Sequence, residues 1–193
     1  MKNSKIIIDG KNFEKEDLSN KNNNFTLINK SSFINCNLKK ALFKESQIYD
    51  VTFKDCDLQG ANFSSSNFKN TQFINCNMKK TVFNSSRFIN LNLTQNDCAD
   101  LKCRGSQFKN SKFKKNQFLN SDLNRTFFEN SEFDTVKFVG CKMFMFFCLN
   151  VVMKNIYIDR SNLTLAKFIN CKKIDSEITP SCKVLCIFEK DVK

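Results

Sequence analysis

The sequence predicts an all-β solenoid, and three observations predict it. Large apolar residues recur every five positions: stepping by five from Ile8 to Phe188, all 37 positions are apolar except Asn23, Lys173 and Lys183. Of the 22 Phe residues, 17 fall on this one phase, a pattern that neither the 3.6 period of a helix nor the 2 period of a strand produces. Finally, the stretch FINCNLKK at Phe33–Lys40 returns as FKDCDLQG at Phe53–Gly60 and as FINCNMKK at Phe73–Lys80, twenty residues apart each time. A strict short repeat of this kind belongs to stacked, one-dimensional architectures.

With the large apolar residue of each pentad called i, position i−2 is small: Ser31, Cys36, Ala41, Ser46, Val51, Cys56, Ala61, Ser66, Thr71, Cys76, Thr81, Ser86. Each pentad therefore sends i and i−2 inward. Positions i−1, i+1 and i+2 point out and are polar, as in Asn37, Lys39 and Lys40. The pentads SSFIN, CNLKK, ANFSS, SNFKN, TQFIN, SQFKN and SDLNR then resemble the pentapeptide-repeat family, whose consensus is a small residue, Asp or Asn, Leu or Phe, and two variable residues. The resemblance covers residues 26–170, and more loosely 6–190. It implies a right-handed, four-sided parallel β-helix with four pentads per coil, and the twenty-residue return supports that number independently.

Residues 1–25 read as a degenerate first coil that covers the N-terminal end of the core, because Glu16 and Lys21 occupy small positions and Asn23 a large one. Residues 26–170 read as an uninterrupted solenoid without protruding loops. Folded at twenty, the core positions form columns: Phe33, Phe53 and Phe73; Leu38 and Leu58; Ile48, Phe68, Phe88, Phe108 and Phe128 with small partners Ser46, Ser66, Ser86, Ser106 and Thr126. Asn70, Asn90, Asn110, Asn130, Asn150 and Asn170 share one i+2 column, where stacked amides can bond coil to coil. Asn tolerates the left-handed backbone a corner needs, and all four glycines sit at i+2. Residues 171–193 read as an irregular C-terminal coil, a cap or an association segment: Lys173 and Lys183 break the beat and Pro180 lacks a ladder donor. The apolar run 184–188 either closes the last coil or meets a second chain.

The 193 residues suffice for one domain with a sizeable core. There is no N-terminal apolar h-region and no run of about 18 apolar residues. Ten cysteines mostly at inward positions fit a reduced, cytoplasmic protein better than a disulfide scaffold. Without His, no nucleophile has its usual base; the glycines are too scattered for a phosphate loop; and Asp97 and Asp100 face outward. No catalytic residue, cofactor or metal is expected. Cys36, Cys56 and Cys76 share an inward line and read as small hydrophobes, with a metal site or disulfide as the alternative.

Two outward features remain. Lys102, Arg104, Lys109, Lys112, Lys114, Lys115 and Arg125 form a basic belt across several sides, and the net charge is +12. Its readings are a solvated surface or contact with nucleic acid or another polyanion. Phe127, Phe144, Met145, Phe147, Leu149, Val152, Leu165 and Ile169 put apolar side chains at outer positions and mark an association surface, for a homodimer or another protein, or one covered by the C-terminal tail. The expected function is a non-catalytic protein-interaction or structural module. Some members of the resembling family protect DNA gyrase from quinolones by imitating DNA with an acidic rod, often dimeric; a rod of net charge +12 without inserted loops departs from that pattern.

Overall fold

Five-residue sides joined by sharp corners organise the chain. In a computed structural model, which describes residues 6–179 and the strand Ile187–Glu189, it forms a right-handed four-sided β-solenoid of about nine coils. No described helix is long and apolar enough to cross a membrane. Face one is a ten-stranded parallel sheet running from Ile7–Asp9 to Ile187–Glu189. Face two has nine strands, from Asn12–Glu14 to Lys172–Ile174. Face three is made of isolated bridges such as Asn37 with Asp57, then becomes four strands from Gln117–Leu119 to Glu177–Thr179. Face four consists of isolated bridges, from Asn22 with Leu42 to Lys142 with Asn162.

The corners carry a backbone demand that side-chain identity does not set. Every i+2 residue from Gly10 to Asp175 has positive φ, including Phe25 (60°), Thr135 (58°) and Leu165 (57°). This region is unfavourable for most L residues, above all β-branched ones. It persists because the ladders above and below fix each corner.

Two kinds of side follow from how the corner is closed. On face four and on the first part of face three, the N–H of i+3 donates to the C=O of i, as from Ala61 to Leu58 (2.9 Å) and Ala166 to Leu163 (2.9 Å). With positive φ at the third residue these are type II turns. Asn or Asp at i−1 accepts the N–H of i+1: Asp17 from Ser19 (3.0 Å), Asn37 from Lys39 (3.2 Å), Asp57 from Gln59 (3.1 Å), Asp97 from Ala99 (3.2 Å). Where face four carries Leu42, Lys102 or Lys142 at i−1, an Asn from the coil beneath does the same. Asn24 accepts from Lys44 (2.8 Å), Asn84 from Arg104 (3.0 Å) and Asn124 from Phe144 (2.9 Å). At the sixth coil face three offers Gln117 at i−1, with Ala99 beneath Leu119. No such acceptor is formed there, and the side extends into a strand.

The interior is columns of rings. Phe13, Phe33, Phe53 and Phe73 stack at 4.7, 4.9 and 4.8 Å with planes within 9°. Phe68, Phe88, Phe108 and Phe128 stack at 4.5, 4.6 and 4.7 Å. Their spacing is that of hydrogen-bonded strands. The small inward positions are more than space-savers: the Ser66 hydroxyl accepts the Ser46 N–H (3.0 Å) and donates to the Phe43 carbonyl (2.8 Å), and Ser86 repeats both contacts one coil on. They satisfy backbone groups that the bridges leave unpaired. In the fifth coil Cys98 and Cys103 stand in columns where neighbouring coils carry Met78, Phe83 and Phe118, and an apolar cavity of about 20 Å³ lies beside Cys103.

At the N-terminal end Ile8, Phe13 and Leu18 are half-buried, and Ile6, Ile7 and Phe25 are exposed. Residues 6–25 keep the register of the later coils, and Glu16 and Lys21 turn their charges to solvent. At the other end Ile187–Glu189 pairs with Lys167–Ile169, so that part of the apolar run continues the face-one sheet. Pro180, Cys182, Lys183 and residues 184–186 lie outside the described residues.

Candidate interaction surface

The face-one strand Phe147–Leu149 buries Cys148 and turns Phe147 and Leu149 outward. Register places Phe127 beneath Phe147 and Ile169 above Leu149. The Phe127 and Phe147 rings stack at 5.1 Å with planes 13° apart. Met145 and Leu165 occupy successive corners leading into this face and are 43% and 39% exposed. These six residues form one apolar band along face one and the corner that leads into it. The structure separates the other two expected members from it. Phe144 lies half-buried on face four, before the corner. Val152 is 39% exposed, but it stands past the Asn150 corner on face two, between Glu132 and Lys172. The corners put their side chains on different sides of the rod.

Charges rim the band. Arg125 precedes Met145 by one coil in the corner column, and Lys167 follows Phe147 by one coil. Glu129, beneath Leu149, is held by the Lys109 ammonium at 3.2 Å.

The basic belt wraps three sides. Lys102 and Arg104 lie on face four, Arg125 on the corner into face one, Lys109 on face one, Lys112 and Lys114 on face two, and Lys115 on the next corner. Lys109 and Lys114 face carboxylates of the following coil, Glu129 at 3.2 Å and Asp134 at 3.9 Å. Phe108 and Phe113 point into the core, so the belt's own strands lend it no stacking ring.

The amide column is partly continuous. Asn90 donates to Asn70 (2.8 Å), Asn70 to Asp50 (2.8 Å), Asn150 to Asn130 (3.0 Å) and Asn170 to Asn150 (2.7 Å). The expected run of six is broken at Asn110, which makes no such bond to Asn90 or Asn130. All six have left-handed backbone, so the corner geometry does not depend on the amide bonds.

Cys36, Cys56 and Cys76 do share one inward column. The Cys56 thiol donates to the Phe33 carbonyl (3.2 Å) and the Cys76 thiol to that of Phe53 (3.5 Å), the place a serine hydroxyl takes elsewhere. The eight described cysteines are free thiols. Burial pushes Cys98 and Cys103 well above the ordinary thiol range and Cys141 up to about 11. A thiol reagent applied to the folded protein at neutral pH should leave Cys98 and Cys103 unmodified, with labelling on addition of denaturant. Peptide mass spectrometry reads this, and rapid native labelling of either would contradict the packing.

The same inward column holds residues whose role the sequence reading missed. Asn96 and Asn116 are buried amides. The Asn96 Nδ2 donates to the Phe73 carbonyl (2.9 Å) and to Asn116 Oδ1 (3.1 Å), and Asn116 Nδ2 donates to the Leu93 carbonyl (2.7 Å). Two amides in a column that from Cys36 on otherwise holds Cys56, Cys76, Val136, Ile156 and Ser176 were the available signal. No buried side-chain nitrogen or oxygen among the described residues lacks a partner.

Comparison by sequence with curated proteins gives no match. Among solved structures, the chain is similar to full-length QnrB1, a plasmid-mediated fluoroquinolone resistance protein, at 14% identity and a TM-score of 0.45 over 96% of this chain and 94% of that one. It is also similar to HetL, a pentapeptide repeat protein involved in heterocyst differentiation regulation in the cyanobacterium Nostoc sp. strain PCC 7120. There the identity is 11% and the TM-score 0.35, over 83% of this chain and 86% of that one. The model of the pentapeptide repeat region matches residues 26–97 and 46–123. With the five-residue beat, the four sides and the twenty-residue ladders, this match makes the chain a member of the pentapeptide-repeat family.

Proposed function

We propose that this protein is a non-catalytic docking solenoid that associates with a second copy of itself through face one. The observation that carries the reading is the outward band of Phe127, Phe147, Leu149 and Ile169, edged by Met145 and Leu165, on face one. An outward apolar band of this kind, with Met145 and Leu165 exposed and the other four half-buried, marks association, and nothing among the described residues lies over it. A strand-paired sheet also holds the backbone of Phe127, Phe147, Leu149 and Ile169 in fixed register, which lowers the ordering cost of binding. The net charge of +12 opposes a DNA-imitating role. The belt's spread over three sides, with two of its cations already facing carboxylates, opposes a single polyanion track.

Sedimentation velocity tests the reading. The wild-type protein should show a concentration-dependent dimer, and Phe147→Asp should be monomeric but folded, losing only the stack on Phe127 and the dimer contacts. A wild-type protein that stays monomeric at high concentration would sink the reading.

A further inference from the structure

The stacked cysteines at the corner between faces two and three play no part in the face-one reading. We propose that Cys56 and Cys76 are an oxidative modification site, which hydrogen peroxide converts to a disulfide that staples the third coil to the fourth. Register brings the pair together. The bridges of Asn37 with Asp57 and of Asp57 with Asn77 hold the residues next to Cys36, Cys56 and Cys76 one strand spacing apart, about 4.8 Å. That lies inside the roughly 4.4–6.8 Å between Cα atoms that a disulfide spans. The thiols of Cys56 and Cys76 also hydrogen-bond to each other, whereas Cys36 senses Cys56 only as a nearby charge, which selects the upper pair. Closing the link gives up little. Cys56 donates to the Phe33 carbonyl (3.2 Å) and Cys76 to that of Phe53 (3.5 Å), and both carbonyls keep their bonds in the face-two ladder when the S–H is lost.

The pair supplies a nucleophile and a resolving thiol. The Cys56 S–H, helped by the Cys56 backbone, hydrogen-bonds the Cys76 sulfur and holds that thiol below the ordinary range against the opposing effect of burial. The same contact, with burial, pushes Cys56 up. The Cys76 thiolate attacks one peroxide oxygen: an S–O bond forms, the O–O bond breaks, and the departing hydroxide takes a proton to become water. The Cys56 sulfur then attacks the Cys76 sulfenic acid. An S–S bond forms, the S–O bond breaks, and hydroxide leaves with the Cys56 proton as a second water. Two thiols are oxidised and one peroxide is reduced. Peroxide enters by local opening of face three, whose early coils are joined by isolated bridges, where faces one and two are joined by strands.

Peroxide treatment of the folded full chain, then alkylation of the remaining thiols and non-reducing digestion, tests the assignment. Mass spectrometry should find the peptides of Cys56 and Cys76 joined within one chain, lighter by two hydrogens, and a thiol reductant should separate them. Cys98 and Cys103 should remain thiols, since burial holds them protonated in the core. Cys56→Ser should abolish the link and leave Cys76 as a sulfenic acid that dimedone traps, and Cys76→Ser should leave Cys56 a thiol. Serine fills the equivalent inward place at Ser46 and Ser66 and donates to the equivalent carbonyl, so both variants keep the fold. The proposal is overturned if Cys56 and Cys76 both stay open to alkylation after peroxide. A link from Cys36 to Cys56, a link between separate chains, or oxidation of Cys98 as fast as of Cys76 would overturn it equally.

Discussion

Phe63→Ala is expected to lower the unfolding free energy by about 3–5 kcal/mol, the range for removing a large buried ring when its surroundings cannot collapse. Phe63 is fully buried, and its ring meets five others. It stacks on Phe43 at 5.0 Å and on Phe83 at 5.3 Å, and touches Phe53, Phe68 and Phe73 edge-on at 6.1, 5.7 and 6.4 Å. Relaxation into the hole is restricted, because the bridges from Asn62 to Leu42 and Val82 fix the coil spacing on both sides. Phe13→Ala provides the contrast. Phe13 is half-buried and stacks only on Phe33, so its loss should cost about 1 kcal/mol by area alone. Denaturant unfolding measures both. Equal losses would mean that the ring columns do not carry the cohesion assigned to them.

The sequence was most informative where one residue position meant one direction. Phe33 and Leu38, five apart, defined the inward phase, and folding at twenty placed Phe68 under Phe88 as the ring stack has it. Corners were legible only at Gly10, Gly60, Gly105 and Gly140 and along the Asn column, because only Gly and Asn advertise left-handed backbone. Thr135 and Leu165 adopt the same φ under the pull of the ladders, which no local preference records. The opening of face three into strands had a signal that went unread, the loss of Asx at i−1 between Asp97 and Gln117. The apolar band was found as a run of outward residues, but outwardness alone does not say which side of the rod is meant. Val152 belongs to the pentad after the Asn150 corner, and Phe144 to the one before the Met145 corner. Counting corners separates them from Phe147.

The largest polar effect is expected at Asn116. Its Oδ1 accepts the Asn96 N–H (3.0 Å), twenty residues back, and its Nδ2 donates to the Leu93 carbonyl (2.7 Å), twenty-three back. Asn116→Ala leaves the buried Asn96 N–H without a partner, at about 1–3 kcal/mol, and takes a second donor from the Leu93 carbonyl, which keeps its bond in the face-two ladder. The loss should therefore exceed that of Phe13→Ala even though fewer apolar atoms are removed. Serine discriminates between lost volume and lost hydrogen bonds. Ser66 makes the same two contacts at the same offsets, accepting from Ser46 N–H (3.0 Å) and donating to the Phe43 carbonyl (2.8 Å). Asn116→Ser should thus recover most of the stability, short of the acceptor that Asn96 Nδ2 loses. Native-state hydrogen exchange at the Asn96 amide reports on the contact itself: alanine should speed exchange there, and serine should largely restore protection. Should alanine and serine be equally destabilising, the inward polar column would be acting through packing alone, and the hydrogen-bonded role given to Ser66 and Ser86 would fall with it.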